Sequence, residues 1–269
     1  MTTVLIVEGN TPEITDATRA AGRPTSAEGY GAALIHFSPG LEIRMTQPYA
    51  PGWTIDRVDF DGVDGLVVTG SAAEWTGGDE KSRPFWQVYE GAFSRGIPAL
   101  GSCWGLQTAA VTLGGETAAG PNGREVSFAR NVSLTAEGAA HPLHRGRADT
   151  FDVLCMHRDD VTRVPDGAIV TATNAHTAVQ GMVYEQGDTK FWGIQYHPEV
   201  TLDEVAFWLS ADHTASDGGK RMVADYCAIA EDPAGTADLR AKHRVGPDIL
   251  DFDRHGVELR NWLVHAVGV

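Results

Sequence analysis

Five residues constrain this chain more than any others. Gly101-Ser102-Cys103-Trp104-Gly105 stands directly after the apolar run Ile97-Pro98-Ala99-Leu100 and opens a helix-like stretch, 106–113, that ends at Gly114-Gly115. A G-x-nucleophile-x-G pentapeptide between a strand and a helix describes a tight turn whose central residue holds a strained backbone. Glycine two residues to either side lets neighbouring chain pass close, where a Cβ would collide. The central side chain then stands clear of the sheet. The helix N-terminus favours negative charge beside it, and the Trp104 amide can donate to an oxyanion. On this reading Cys103 is a nucleophile, although the pentapeptide alone fits a buried structural cysteine about as well.

A turn of that kind sits in an open, mostly parallel sheet, and the chain supplies the strands. Val4-Leu5-Ile6-Val7, Gly65-Leu66-Val67-Val68, Ala168-Ile169-Val170-Thr171 and the run 191–196 are short and apolar or β-branched, as strands buried on both faces are. Helical candidates at about 83–96 and 104–113 flank the Ile97 run, which gives βαβ alternation. From 121 to 196 the pattern changes to short β-like runs, such as 126–134 and 178–184, separated by Gly, Pro and Asp. This stretch reads as an antiparallel extension of the same sheet. Residues from about 202 onward are helix-like, Glu231-Asp232-Pro233-Ala234-Gly235 is the best linker, and 257–267 forms a final helix. The expected fold class is α/β: a three-layer sandwich with a mostly parallel central sheet, a nucleophile elbow and an antiparallel β extension. Residues 1–230 form its domain, and 231–269 a C-terminal helical tail.

Charge and composition narrow the partners. Asp and Glu number 36 against 21 Lys and Arg, a formal net charge of −15, and no Lys/Arg-rich run occurs. Nucleic acid and anionic membrane surfaces, which require clustered positive charge, are therefore not expected partners. No run of 18 apolar residues exists to span a bilayer, and Met1-Thr2-Thr3 before the first strand lacks the basic region of a signal peptide. Three scattered cysteines, Cys103, Cys155 and Cys227, make no disulfide framework, so a cytoplasmic setting is expected, for a monomer or homodimer.

A thiol nucleophile needs a base that is distant in sequence and near in the fold. Among ten histidines, His197 has the right surroundings. It follows the run 191–196 and so projects from the C-terminal end of a strand, where parallel sheets build their sites. Glu199, two residues on, can accept the imidazole N–H, fix its tautomer and stabilise the imidazolium. Other groupings fall short. His141, His144, Cys155 and His157 match no zinc spacing, so no metal is expected. Trp75-Thr76-Gly77-Gly78-Asp79 lacks the P-loop lysine, and Val7-Glu8-Gly9-Asn10 lacks G-x-G-x-x-G, so no nucleotide cofactor is expected either.

Gly101-Ser102-Cys103-Trp104-Gly105-Leu106-Gln107, taken with Gly193-Ile194-Gln195-Tyr196-His197-Pro198-Glu199, resembles the class I glutamine amidotransferase domain of the Cys-His-Glu type, in particular its free-standing GMP synthase-like members. The resemblance covers about residues 1–205. It implies that Cys103 attacks the γ-carboxamide of glutamine to give a thioester and ammonia, with His197 moving the proton and Glu199 orienting it. It also implies that Gly70 and Ser71 form the oxyanion loop with the Trp104 amide, and that Gln107 helps hold the substrate. Arg124-Glu125-Val126-Ser127 resembles an R-E-x-G element of the glutamine pocket, and the segment Cys155 to Val161, with His157, an S-H-G-D-x-V segment beside it. Ala178-Val179-Gln180-Gly181 is similar to the family's V-Q-A/G strand. Ser71, Ser127 and Arg158 stand where the family has glycine. The function so implied is a glutaminase whose ammonia passes to a synthetase on a separate chain, since no ATP-binding motif is present. The alternative is a self-contained hydrolase of γ-glutamyl amides or peptides. A non-catalytic regulatory protein on the same fold is the third reading.

Overall fold

The computed structural model describes residues 1–211 and 217–269. In its first strand, β1 (Thr3–Val7), every residue is buried, with Val4 and Ile6 entering one core and Leu5 and Val7 another. That alternation is the two-residue period of a strand covered on both faces. The chain continues through α1 (Pro12–Ala20), α2 (Ser26–Phe37), β2 (Glu42–Thr46), β3 (Gly65–Val68), α3 (Arg83–Phe93), β4 (Ala99–Ser102) and α4 (Trp104–Thr112). Next come β5 (Glu116–Ala119), β6 (Glu125–Leu134), α5 (Ala136–Ala140), β7 (Thr150–His157), β8 (Asp159–Arg163), β9 (Ile169–Thr173), β10 (Gly181–Gln186) and β11 (Thr189–Ile194). The last part is helical: α6 (Leu202–Ala211), α7 (Asp217–Glu231), α8 (Ala237–His243), α9 (Pro247–Leu250), α10 (Phe252–His255) and α11 (Val257–Trp262). Among the described residues no helix is long and apolar enough to cross a membrane.

Nine strands form one sheet in the order β2-β1-β3-β4-β11-β10-β9-β6-β7. The pairs from β2 to β11 are parallel, and β10, β9, β6 and β7 add on as antiparallel neighbours. The antiparallel extension expected from 121 to 196 is thus present, with one correction. β8 leaves the main sheet and pairs with β5 in a separate two-stranded sheet. β2 and the helices α1 and α2 were not read from the sequence. β2 is a half-exposed edge strand whose Glu-Ile-Arg-Met-Thr carries little apolar pattern.

Helices cover both faces of the sheet, which makes three layers. Tyr30 and Leu34 of α2 pack with Leu259 and Trp262 of α11 on one face. Phe85, Val88 and Tyr89 of α3 pack with Leu106, Ala109 and Ala110 of α4 on the other. A third cluster joins Phe128 and Leu154 to Val205, Leu209, Tyr226 and Ile229, and reaches Val245 and Ile249.

The segment after residue 230 shares these cores. The turn at 233–236 connects α7 to α8, and residues on both sides of it belong to the third cluster. Trp262 is fully buried against Gly65 at the start of β3, where a Cβ would come within 2.7 Å of the indole. The final helix continues past α11 as a π-helical turn, Leu263–Val267. The helical stretch expected from 202 onward crosses residues 212–216, which lie outside the described residues. Trp262→Ala should destabilise the protein by about 3–5 kcal/mol in denaturant unfolding, as loss of a large core side chain does. A cost under about 0.5 kcal/mol, typical of an exposed surface position, would mean that α11 is not part of the core.

Candidate active site

The elbow is set by its neighbours. β4 lies between β3 and β11, and Cys103 follows it with φ 49° and ψ −106°, in the strained half of conformational space. Its N–H donates to the Ile194 carbonyl at 2.9 Å, which ties the turn to the end of β11. A Cβ on Gly101 would stand 2.5 Å from the Gly105 carbonyl carbon, and one on Gly105 would collide with the Val68 carbonyl oxygen. Both glycines are therefore required by close backbone passage, as the pentapeptide suggested. Cys103 is 6% exposed, and its Sγ donates to the Met156 carbonyl oxygen at 3.6 Å.

His197 arrives three residues after β11, with its N–H donating to the Leu154 carbonyl at 3.0 Å. Its Nδ1–H donates to Glu199 Oε1 at 2.7 Å, and the edge of Trp208 closes on the ring with centroids 5.2 Å apart. Burial opposes the imidazolium, but the Glu199 carboxylate and the Cys103 thiol beside the ring outweigh it, and the His197 pKa is pushed up to about 10. The structure thus brings Cys103, His197 and Glu199 together as expected from the sequence.

The loop after β3 lies against the same ring. A Cβ on Gly70 would come within 2.7 Å of His197 Cε1. Behind Ser71, the Ala72 N–H donates to Asn10 Oδ1 at 2.8 Å, and Asn10 is itself held by Glu8 through its backbone N–H at 3.0 Å and its Nδ2 at 2.9 Å. Glu8 also accepts from the Ala27 N–H at 2.8 Å. Trp104 is the first residue of α4, where an amide has no intrahelical acceptor. The Glu8-Asn10 brace was missed in the sequence. Its trace there was a carboxylate and an amide directly after a wholly buried strand, where site residues of parallel sheets collect. Tyr30 was missed too. It is fully buried on α2, and its hydroxyl lies beside Glu199 and Ser102.

On the far side of Cys103 lie the residues expected in a substrate pocket. Gln107 Nε2 donates to the Asp159 carbonyl at 2.7 Å and stands 3.3 Å from Gln195 Oε1. Glu125 accepts from His157 Nε2 at 2.9 Å, Gln180 Nε2 at 2.7 Å and Asn174 Nδ2 at 2.7 Å. His157 Nδ1 lies 3.2 Å from Asp160 Oδ1. Burial works against the His157 imidazolium, but the carboxylates on its two sides and the Cys155 thiol raise its pKa far above the ordinary value.

Glu125, Cys155 and His157 are metal-ligating residue types whose ligand atoms lie within 4.8 Å of one another. They are already committed to each other, since Glu125 Oε2 accepts from both His157 and Cys155 Sγ. Burial also pushes the Cys155 thiol up to about 12, away from the thiolate that a soft metal takes.

The departures from the family pattern have visible effects. Ser127 adopts φ 70°, in the left-handed region where glycine is favoured, so the serine is held at a cost of roughly 1–2 kcal/mol. Arg158 does not point freely to solvent. Its Nε and Nη2 grip both carboxylate oxygens of Asp159 at 2.8 Å, and its Nη1 donates to the Glu74 carbonyl at 2.8 Å.

A strained cysteine at a strand-to-helix elbow, beside a histidine paired to a carboxylate, has the geometry of a triad-type cysteine hydrolase. The chain belongs to the class-I glutamine amidotransferase family, whose description, "Glutamine amidotransferase class-I", matches residues 40–208. This places it among enzymes that cleave an amide C–N bond. It is 31% identical to the gamma-glutamyl-L-1-hydroxyisopropylamide hydrolase of a Pseudomonas species over 98% of this chain and 92% of that protein. It is 38% identical to the glutamine-hydrolyzing GMP synthase of Neisseria meningitidis over 116 residues, 43% of this chain and 22% of the synthase. The crystal structure of a glutamine amidotransferase from Methylobacillus flagellatus shares the fold, with a TM-score of 0.65 and 19% identity over 99% of this chain and 93% of that one.

Because the folded pKa of His197 lies above its unfolded value near 6.5, the stability it contributes is complete below about pH 6.5 and is lost as the pH rises towards about 10. Unfolding free energy measured from pH 6.5 to 10 should therefore fall more steeply in the wild type than in His197→Gln. Parallel curves would contradict the ion pair.

Proposed function

We propose that the protein hydrolyses the γ-amide C–N bond of a γ-glutamyl compound through a thioester on Cys103, acting without a partner chain. The observation that carries this reading is the pairing of a strained, elbow-borne Cys103 with a His197 imidazole fixed by Glu199 at 2.7 Å. Cys103 Sγ attacks the γ-carbonyl carbon with its proton already carried by His197. The amide N–H groups of Trp104 and Ser71 receive the oxyanion. His197 returns the proton to the leaving nitrogen, the C–N bond breaks, and ammonia or a small amine departs. Water then gives a proton to His197 and adds to the thioester carbonyl. Glutamate leaves as the C–S bond breaks and the thiolate is restored. Gln107, Glu125 and His157 face the glutamyl part of the substrate, and no cofactor takes part.

The self-contained reading is supported by the end-to-end similarity to a hydrolase whose name specifies a γ-glutamyl amide substrate. A glutaminase that hands ammonia to a separate synthetase is the second reading, supported by the similarity to part of GMP synthase. Three free cysteines suit a reducing compartment, and we place the protein in the cytoplasm.

The test is release of glutamate by the purified protein alone, with glutamine and a panel of γ-glutamyl alkylamides. Turnover of an alkylamide by the isolated chain is expected, with Cys103→Ala lower by on the order of 10⁴-fold or more. His197→Ala should fall nearly as far, and Glu199→Gln less far, since it alters orientation and leaves the attacking group in place. Silence on every amide, with glutamine cleaved only after a synthetase is added, would replace the first reading by the second. Full activity of Cys103→Ala would remove both.

A further inference from the structure

Two adjacent residues of the catalytic turn are held from a segment that lies outside residues 40–208. His255, at the end of α10, is buried, and its Nε2 sits 2.9 Å from the His197 carbonyl oxygen. A carbonyl only accepts, so Nε2 carries the proton. Burial, reinforced by the nearby Arg147 guanidinium, pushes the His255 pKa down to about 4, which leaves a neutral ring. Its Nδ1 is buried with no hydrogen-bond partner among the described residues. Three residues on, the fully buried Glu258 accepts from the Tyr196 hydroxyl at 2.8 Å. Arg147 fixes that carboxylate through Nε at 2.8 Å and Nη2 at 2.6 Å, and His144 Nδ1 lies 3.4 Å from it.

These contacts act on the backbone that aims the His197 ring. The residue after His197 is proline, which donates no N–H. The turn is therefore fixed by the His197 N–H on Leu154 from one side and by the His197 carbonyl on His255 from the other. Packing alone does not account for His255. A buried imidazole with one nitrogen left unpartnered is costly, and an apolar residue of similar volume would fill the same space without that cost.

We propose that Phe252–Trp262 is a positioning clamp for the catalytic base, with His255 acting through the His197 carbonyl and Glu258 through the Tyr196 hydroxyl. The inference rests on the reading of His197 as the base. The clamp contributes no group to the reaction. It holds the imidazole within reach of Cys103, so its removal should slow chemistry while leaving substrate affinity nearly intact.

The test uses the full chain carrying His255→Leu, His255→Gln or Tyr196→Phe. Three readouts are taken: thermal melting, kcat and KM on a turned-over γ-glutamyl amide, and iodoacetamide alkylation of Cys103 from pH 5 to 9, read by mass spectrometry of its peptide. In His255→Leu, kcat should fall by about 10–100-fold, the loss expected from misplacing a catalytic group by an ångström or less, with KM within about two-fold of wild type. The pH profile of Cys103 alkylation should be displaced, and His255→Gln, which keeps an N–H donor, should recover most of both. A lowered melting temperature with wild-type kcat and an unchanged alkylation profile would overturn the clamp. Where His255→Leu does not fold, Tyr196→Phe decides: a displaced profile supports the clamp and an unchanged one overturns it. Alkylation is independent of substrate, so failure of the clamp is distinguishable from failure of the proposed reaction, which Cys103→Ala reports.

Discussion

Cys103 keeps a left-handed backbone only because the chain around it leaves no other path. Its N–H is spent on Ile194, its helix presses a glycine against the Val68 carbonyl, and the strand before it is locked between two parallel neighbours. Such a conformation costs on the order of 1–3 kcal/mol and persists when its surroundings over-determine it. Here those surroundings are the middle of the sheet, with both faces buried. The layered α/β architecture therefore supplies the rigidity that the strained Cys103 backbone requires.

Around this centre the protein places its charges in pairs. His197 with Glu199, His157 with Glu125 and Asp160, and Arg147 with Glu258 all lie in the interior, and the Glu125 and Glu258 carboxylates carry further hydrogen bonds. An unpaired charge at such depth would be severely penalised, whereas an opposite charge within hydrogen-bond distance offsets much of that cost. The three pairs differ in what they face. The first meets the thiol and the second lines the side where a glutamyl group is proposed to bind. The third braces the back of the turn that carries His197.

The sequence made the elbow and the His197-Glu199 pair legible because both are local. Gly101 to Gly105 and His197 to Glu199 each specify their chemistry within a few residues, and each follows an apolar run that can only be a buried strand. Ser127 was visible as a departure from glycine, and its φ of 70° gives the physical reason for glycine in relatives of this pattern. What stayed hidden depends on distant partners. Nothing in the neighbourhood of Tyr30, His255 or Glu258 shows what each will touch, because the partners are tens to more than a hundred residues away. β2 was hidden for a different reason, since a half-exposed edge strand carries no strong period.

Trp262 lies on Gly65, so the strand beside the elbow is finished by a side chain from far along the chain. During synthesis β1, α2, β3 and β4 emerge early and α2 can cover part of their face, yet the patch over Gly65 stays open until Trp262 has been made. Contacts of such sequence separation form late, and exposed apolar sheet is what holdase chaperones bind. The strand beside the elbow therefore completes its cover only after a segment about two hundred residues downstream has been made, and a single tryptophan sets that order.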